Sequence, residues 1–111
     1  MTVIQTKALD SEKLDEIIRR IVEVAQPDKI ILFGSAAKGE MDHNSDVDLL
    51  VIKSGDFHPG WLTEEIYMGL YGVGQAVDVI VVTPEDVERY RDSWPTVIYP
   101  ALREGKVVYG A

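Results

Sequence analysis

The sequence predicts an α/β domain built on a small mixed sheet of about four strands, with helices packed mainly on one face. Short apolar runs bounded by turn residues recur at Lys29 to Phe33, Val47 to Ile52, Val77 to Val82 and Lys106 to Tyr109. Helix signals precede and separate them. The 111-residue length suits one domain, residues 1–111, with a single core that buries roughly two-thirds of the unfolded surface.

Asp10 or Ser11 caps a first helix running to about Ala25, because Leu14, Ile17, Ile18, Ile21, Val22 and Ala25 recur at helical spacing. Pro27-Asp28 ends it, and the run Lys29 to Phe33 closes at Gly34 as a buried strand. Ser35 to Gly39 suggests a short helical turn, and Glu40 to Ser45 a polar loop. Val47 to Ile52 is the second strand. Trp61 to about Val73 is expected to be helical and to stop at Gly72 and Gly74, although its apolar residues form no clean stripe. Val77 to Val82 is β-branched apart from Asp78, the strongest strand signal in the chain. Thr83-Pro84-Glu85-Asp86 then supplies a cap, a proline at the first helical position and an acid at the third, opening a helix to about Arg91. Another helix spans Val97 to Glu104 and ends at Gly105 before the last strand.

Eleven basic against nineteen acidic residues give a formal charge of -8. That balance argues against general nucleic-acid binding, which requires a basic stripe. The absence of cysteine removes disulfides and thiolate metal sites. The first residues carry no apolar signal-peptide core, and the apolar runs are too short to span a bilayer, so a soluble cytoplasmic protein without membrane contact is expected.

The chemistry-bearing residues lie at strand ends. Gly34-Ser35 leaves the first strand as a turn whose backbone N–H groups suit a phosphate. After ten intervening residues, 36 to 45, Asp46-Val47-Asp48 opens the second strand, and its two carboxylates project to one face with Cα atoms roughly 6.5 to 7 Å apart. Asp78, at the head of the third strand, joins them if that strand lies beside the second. Three such carboxylates repel one another unless a cation or another partner compensates, and their oxygen atoms are the ligands that magnesium prefers. Phosphoryl and nucleotidyl transfer commonly use two divalent ions bridged by carboxylates.

This order of loop, spacing, twin acids and later acid resembles the DNA polymerase β-like nucleotidyltransferase superfamily. More narrowly, the chain from about Leu14 to Tyr109, with Gly39, Ser45 and Gly105 in place, is similar to minimal nucleotidyltransferase (MNT) proteins, which pair with HEPN proteins in toxin–antitoxin modules. The resemblance implies a nucleotidyltransferase fold and Mg-dependent transfer of AMP from ATP to a hydroxyl, with two Mg2+ ions. It assigns Gly34, Ser35 and Lys38 to the triphosphate, and Asp46, Asp48 and Asp78 to metal binding and catalysis, with Asp78 also assisting deprotonation of the acceptor. Lys38 stands where relatives often carry Arg, keeping the charge without the bidentate fork. The implied acceptor is a tyrosine of a HEPN toxin, which makes the protein an antitoxin and a member of a hetero-oligomer. Transfer to a small molecule such as an aminoglycoside, and a non-catalytic antitoxin that works by binding alone, are the alternatives.

Each signal also has an ordinary reading. Gly-Ser after a strand is commonly a plain turn, Asp-x-Asp can cap a loop, and Asp78 can be a solvated strand end. Asp42 to Asp46 resembles the opening of an EF-hand, but Val47 stands where glycine is required and Lys53 where glutamate is, so calcium is rejected. His43 and His58 lack paired ligands and read as surface residues. Trp61, Tyr67 and Tyr71 suit core or half-buried packing better than a partner surface, and Tyr90, Trp94 and Tyr99 admit both readings. Glu85, Asp86 and Glu88 fit a helix start better than catalysis.

Overall fold

The computed structural model describes residues 10–39, 46–93 and 98–110. The elements run α1 (Ser11–Ala25), β1 (Lys29–Phe33), a 3-10 turn (Gly34–Ala36), β2 (Val47–Ile52), α2 (Pro59–Gly69), β3 (Val77–Val82), α3 (Pro84–Tyr90), α4 (Ile98–Glu104) and β4 (Lys106–Tyr109). The expected Glu40 to Ser45 loop, with His43 and all of the EF-hand-like opening except Asp46, and Trp94 lie outside the described residues.

The four strands form one sheet in the order β3-β2-β1-β4. β1 is antiparallel to both β2 and β4, whereas β2 and β3 are parallel, so the sheet is mixed. Strand alternation divides its side chains between two cores. Ile30, Leu32, Val47, Leu49, Val51 and Val79 pack beneath the long helices α1 and α2. Ile31, Leu50, Ile52 and Val82 pack against Ile98 and Ala101 of α4, with Val87 of α3 beside them. The two long helices therefore cover one face and the two short ones the other.

Local chemistry accounts for the helix ends. The Asp10 carboxylate accepts from the Glu12 N–H at 2.9 Å, and Gln26, at φ 47°, turns the chain out of α1 just before Pro27. The α1 face bearing Ile17, Ile21 and Ala25 is buried; each large apolar side chain so buried contributes about 1.5–3 kcal/mol. Thr83 and Asp86 form a reciprocal capping box at α3, with both hydrogen bonds at 3.1 Å. Asp86 thus has the helix-start role expected of it.

α2 departs most from expectation. It starts at Pro59 and ends at Gly69, rather than running from Trp61 to Val73. His58 caps it by accepting from the Trp61 N–H at 3.1 Å, which places the exposed imidazole at a helix start. Leu62 and Ile66, with Leu70 just beyond the helix, are buried. Trp61 and Tyr71 are exposed, contrary to the expected core or half-buried packing, because this separate apolar stripe already faces the sheet. Tyr67 is also exposed at its ring, but its hydroxyl accepts from the Val79 N–H of the edge strand β3 at 2.8 Å. α1 is tied to the segment after α2 by Arg20 Nη1, which donates to the Tyr71 carbonyl at 2.9 Å, and by Lys13 Nζ, which donates to the Val73 carbonyl at 2.6 Å.

Among the described residues, no helix is long and apolar enough to cross a membrane.

Candidate active site

The sheet register assembles the site. Because β1 and β2 are antiparallel, Phe33 pairs with Asp48, so the turn leaving β1 meets the start of β2. Because β2 and β3 are parallel and in step, Asp48 pairs with Asp78. Asp48 shares strand parity with Leu50 and Ile52, and Asp78 with Ile80 and Val82, so both carboxylates project toward the α3 and α4 face.

Gly34 has φ +72°, a left-handed conformation that favours glycine. A Cβ there would overlap the Asp48 Oδ2 atom. The backbone of the turn and the Asp48 carboxylate are thus in direct apposition, an approach that any larger residue at position 34 would block. Ser35 follows, half-buried, and its carbonyl accepts from the Lys38 N–H at 3.2 Å.

Asp48 is itself half-buried, and its carboxyl is raised above the ordinary carboxylate value. Burial is the largest cause, followed by the charges of Asp78 and then Asp46. All three acids thus act on one locus. Among the described residues, however, no group of three or more His, Cys, Asp or Glu side chains stands in metal-holding geometry. The donor set still fits a hard divalent cation: its atoms are carboxylate oxygens, and the uncompensated repulsion at Asp48 is what a bound cation would relieve.

Lys38 lies just beyond the turn, but its ammonium faces Glu104 Oε2 of α4 at 3.3 Å. Glu104 is not foreseeable from the sequence, because no local pattern relates a residue after β1 to one at the end of α4. Gly105 lets that end come close: a Cβ there would meet the Ala101 carbonyl and the Ile31 side chain. A cavity of about 420 Å3, lined by Asp28, Lys29, Ile52, Pro84, Val87 and Glu88, lies at the opposite end of the sheet from the acids. The chemistry of the strand ends, rather than that cavity, locates the candidate site.

The sequence profile described as polymerase beta, nucleotidyltransferase, matches residues 12–111. The chain belongs to this nucleotidyltransferase family. No curated protein matches it significantly. Among solved structures, a mutant MntA–HpeT toxin–antitoxin is similar at 18% identity and a TM-score of 0.60, covering 93% of this chain and 75% of that one. A tri-AMPylated Shewanella oneidensis HEPN toxin in complex with MNT antitoxin matches at 16% identity and 0.60, covering 93% and 74%. A toxin–antitoxin with AMP-PNP matches at 20% identity and 0.56, covering 93% and 75%. These likenesses show a shared fold, the nucleotidyltransferase fold expected from the sequence.

Proposed function

We propose that this member of the family transfers AMP from ATP to a hydroxyl of a second protein, a tyrosine of a HEPN-domain toxin, and so acts as its antitoxin. The observation that carries the reading is the in-register pair Asp48 and Asp78 beside the Gly34 turn, within a nucleotidyltransferase chain. Similar solved structures are described as an AMPylated HEPN toxin with its MNT antitoxin and as a toxin–antitoxin with AMP-PNP, which supports the choice of partner and nucleotide.

In this proposal the turn at Gly34 and Ser35 binds and orients the triphosphate against Asp48. Mg2+ held by Asp46, Asp48 and Asp78, as two ions, would supply neutralisation of the triphosphate charge and polarisation of its α-phosphoryl group. Asp78 accepts the proton of the incoming tyrosine hydroxyl at a carboxylate oxygen. The tyrosine oxygen bonds to the α-phosphorus, the bond from that phosphorus to the bridging oxygen breaks, and pyrophosphate leaves with the bridging electron pair. Lys38 reaches the phosphates by exchanging Glu104 for them, an exchange favoured by the exposure of that ion pair. A cytoplasmic location goes with this proposal, because the proposed donor is ATP.

The test is to incubate the protein with labelled ATP, Mg2+ and its HEPN-domain partner, and to repeat it with Asp48→Asn. Label on the partner that requires Asp48 is the expected result. Equal, tight complexes with no transfer by either protein would replace catalysis with binding alone, and transfer only to added aminoglycosides would move the acceptor to a small molecule.

A further inference from the structure

α2 presents opposite faces of different use. Leu62, Ile66 and Leu70 are buried, whereas Trp61, Met68 and Tyr71 are 67%, 76% and 89% exposed. Trp61 and Met68 are two helical turns apart on one side of α2, and Tyr71 lies in the turn just after the helix, its N–H donating to the Met68 carbonyl at 3.3 Å. At the usual size of such side chains, the exposed area of the three together is on the order of 400 Å2, interspersed with two glutamates.

The patch is held in place at both ends. The His58 ring stacks on Trp61 with centroids 4.5 Å apart and an interplanar angle of 21°. The Tyr71 carbonyl accepts from Arg20. The stacked Trp61 ring and the anchored backbone at Tyr71 reduce the freedom lost when this face is covered.

Charge selects the occupant. Glu64 and Glu65 are exposed on the same side of α2, between Trp61 and Met68. The nearby cations Arg20 and Lys13 are already engaged by Tyr71 and Val73 carbonyls. A second copy of this chain, of charge -8, would bring the same glutamates against themselves.

We propose that the outer face of α2 docks a partner protein through an apolar surface bordered by lysine and arginine. α2 covers the sheet face opposite the one toward which Asp48 and Asp78 project, so this surface holds the partner without touching the reacting groups. The inference rests on the reading that a second chain supplies the acceptor hydroxyl, and it deepens that reading by assigning that chain's landing surface.

The test compares wild type, Trp61→Ala/Met68→Ser and Glu64→Gln/Glu65→Gln, using the HEPN-domain partner and labelled ATP. The expected result for the apolar double variant is a rise of at least tenfold in Kd and in KM for the partner, with ATP affinity, far-UV circular dichroism and kcat at saturating partner unchanged. For the glutamate variant it is a severalfold weaker complex whose affinity depends less on salt. Unchanged partner affinity in both variants, or a wild-type homodimer that the apolar variant dissolves, would overturn the proposal. Partner binding that requires this face but yields no AMP transfer by wild type would leave the docking surface standing and remove the catalytic reading.

Discussion

The Asp48 carboxylate occupies the space that a side chain on Gly34 would need. The left-handed backbone of Gly34 and the half-burial of Asp48 are therefore one arrangement seen from two sides. Gly34→Ala imposes strain at φ +72° and displaces the carboxylate. The expected outcome is a loss of about 1–3 kcal/mol in chemical denaturation and a drop in AMP transfer of at least about tenfold. Wild-type stability in the variant would show that the turn tolerates a side chain.

In the proposed reaction, Asp48 combines a role in holding the cation with an energetic cost to the fold. Burial and the charges of Asp78 and Asp46 disfavour its ionised form, so the folded protein without bound cation is stabilised when that charge is removed. Asp48→Asn should raise the thermal midpoint in chelator-treated protein while lowering pyrophosphate release by on the order of 100-fold or more. A lower midpoint would show that the carboxylate stabilises the fold.

Asp28 gives the opposite sign. Hydrogen bonds from Ser54, first from its side chain and then from its backbone N–H, hold the Asp28 carboxyl below its ordinary value of 3.8. A depressed folded value means that the ionised group stabilises the fold above pH 3.8, and that this contribution is lost as pH falls through the folded value. Thermal midpoints of wild type and Asp28→Asn should differ at pH 7 and converge in strong acid. A gap independent of pH would remove the linkage.

The Thr83 and Asp86 capping box is remote from the acids at the other end of β3. Thr83→Ala should cost about 1 kcal/mol in urea denaturation and leave ATP affinity unchanged. A change in ATP affinity would show that α3 is coupled to the site.

Much of this arrangement is legible in the chain. All four strands fall where the expected runs lie, because Pro27, Gly34, Thr83-Pro84 and Gly105 interrupt the apolar runs sharply. α2 was less legible: an imidazole cap is a weak sequence signal, and two apolar stripes on one helix leave open which of them meets the sheet. Leu62 and Ile66 settle it only once α1 and β3 are in place. Asp78 could be placed beside Asp48 only on condition that the strands were neighbours, since parallel register is a property of topology. Lys38 and Glu104 are joined across the fold, with no local pattern to announce them.

The Tyr67 hydroxyl also bears on how the molecule avoids self-templating. β3 is an outermost strand, and five of its six residues are valine or isoleucine, a composition that favours stacking with the same strand of other molecules. The phenol of Tyr67 takes the Val79 N–H that an incoming strand would use, in the middle of that run. A phenylalanine at position 67 would keep the ring and surrender the blockade, leaving a growth point for fibres on an otherwise well-folded domain.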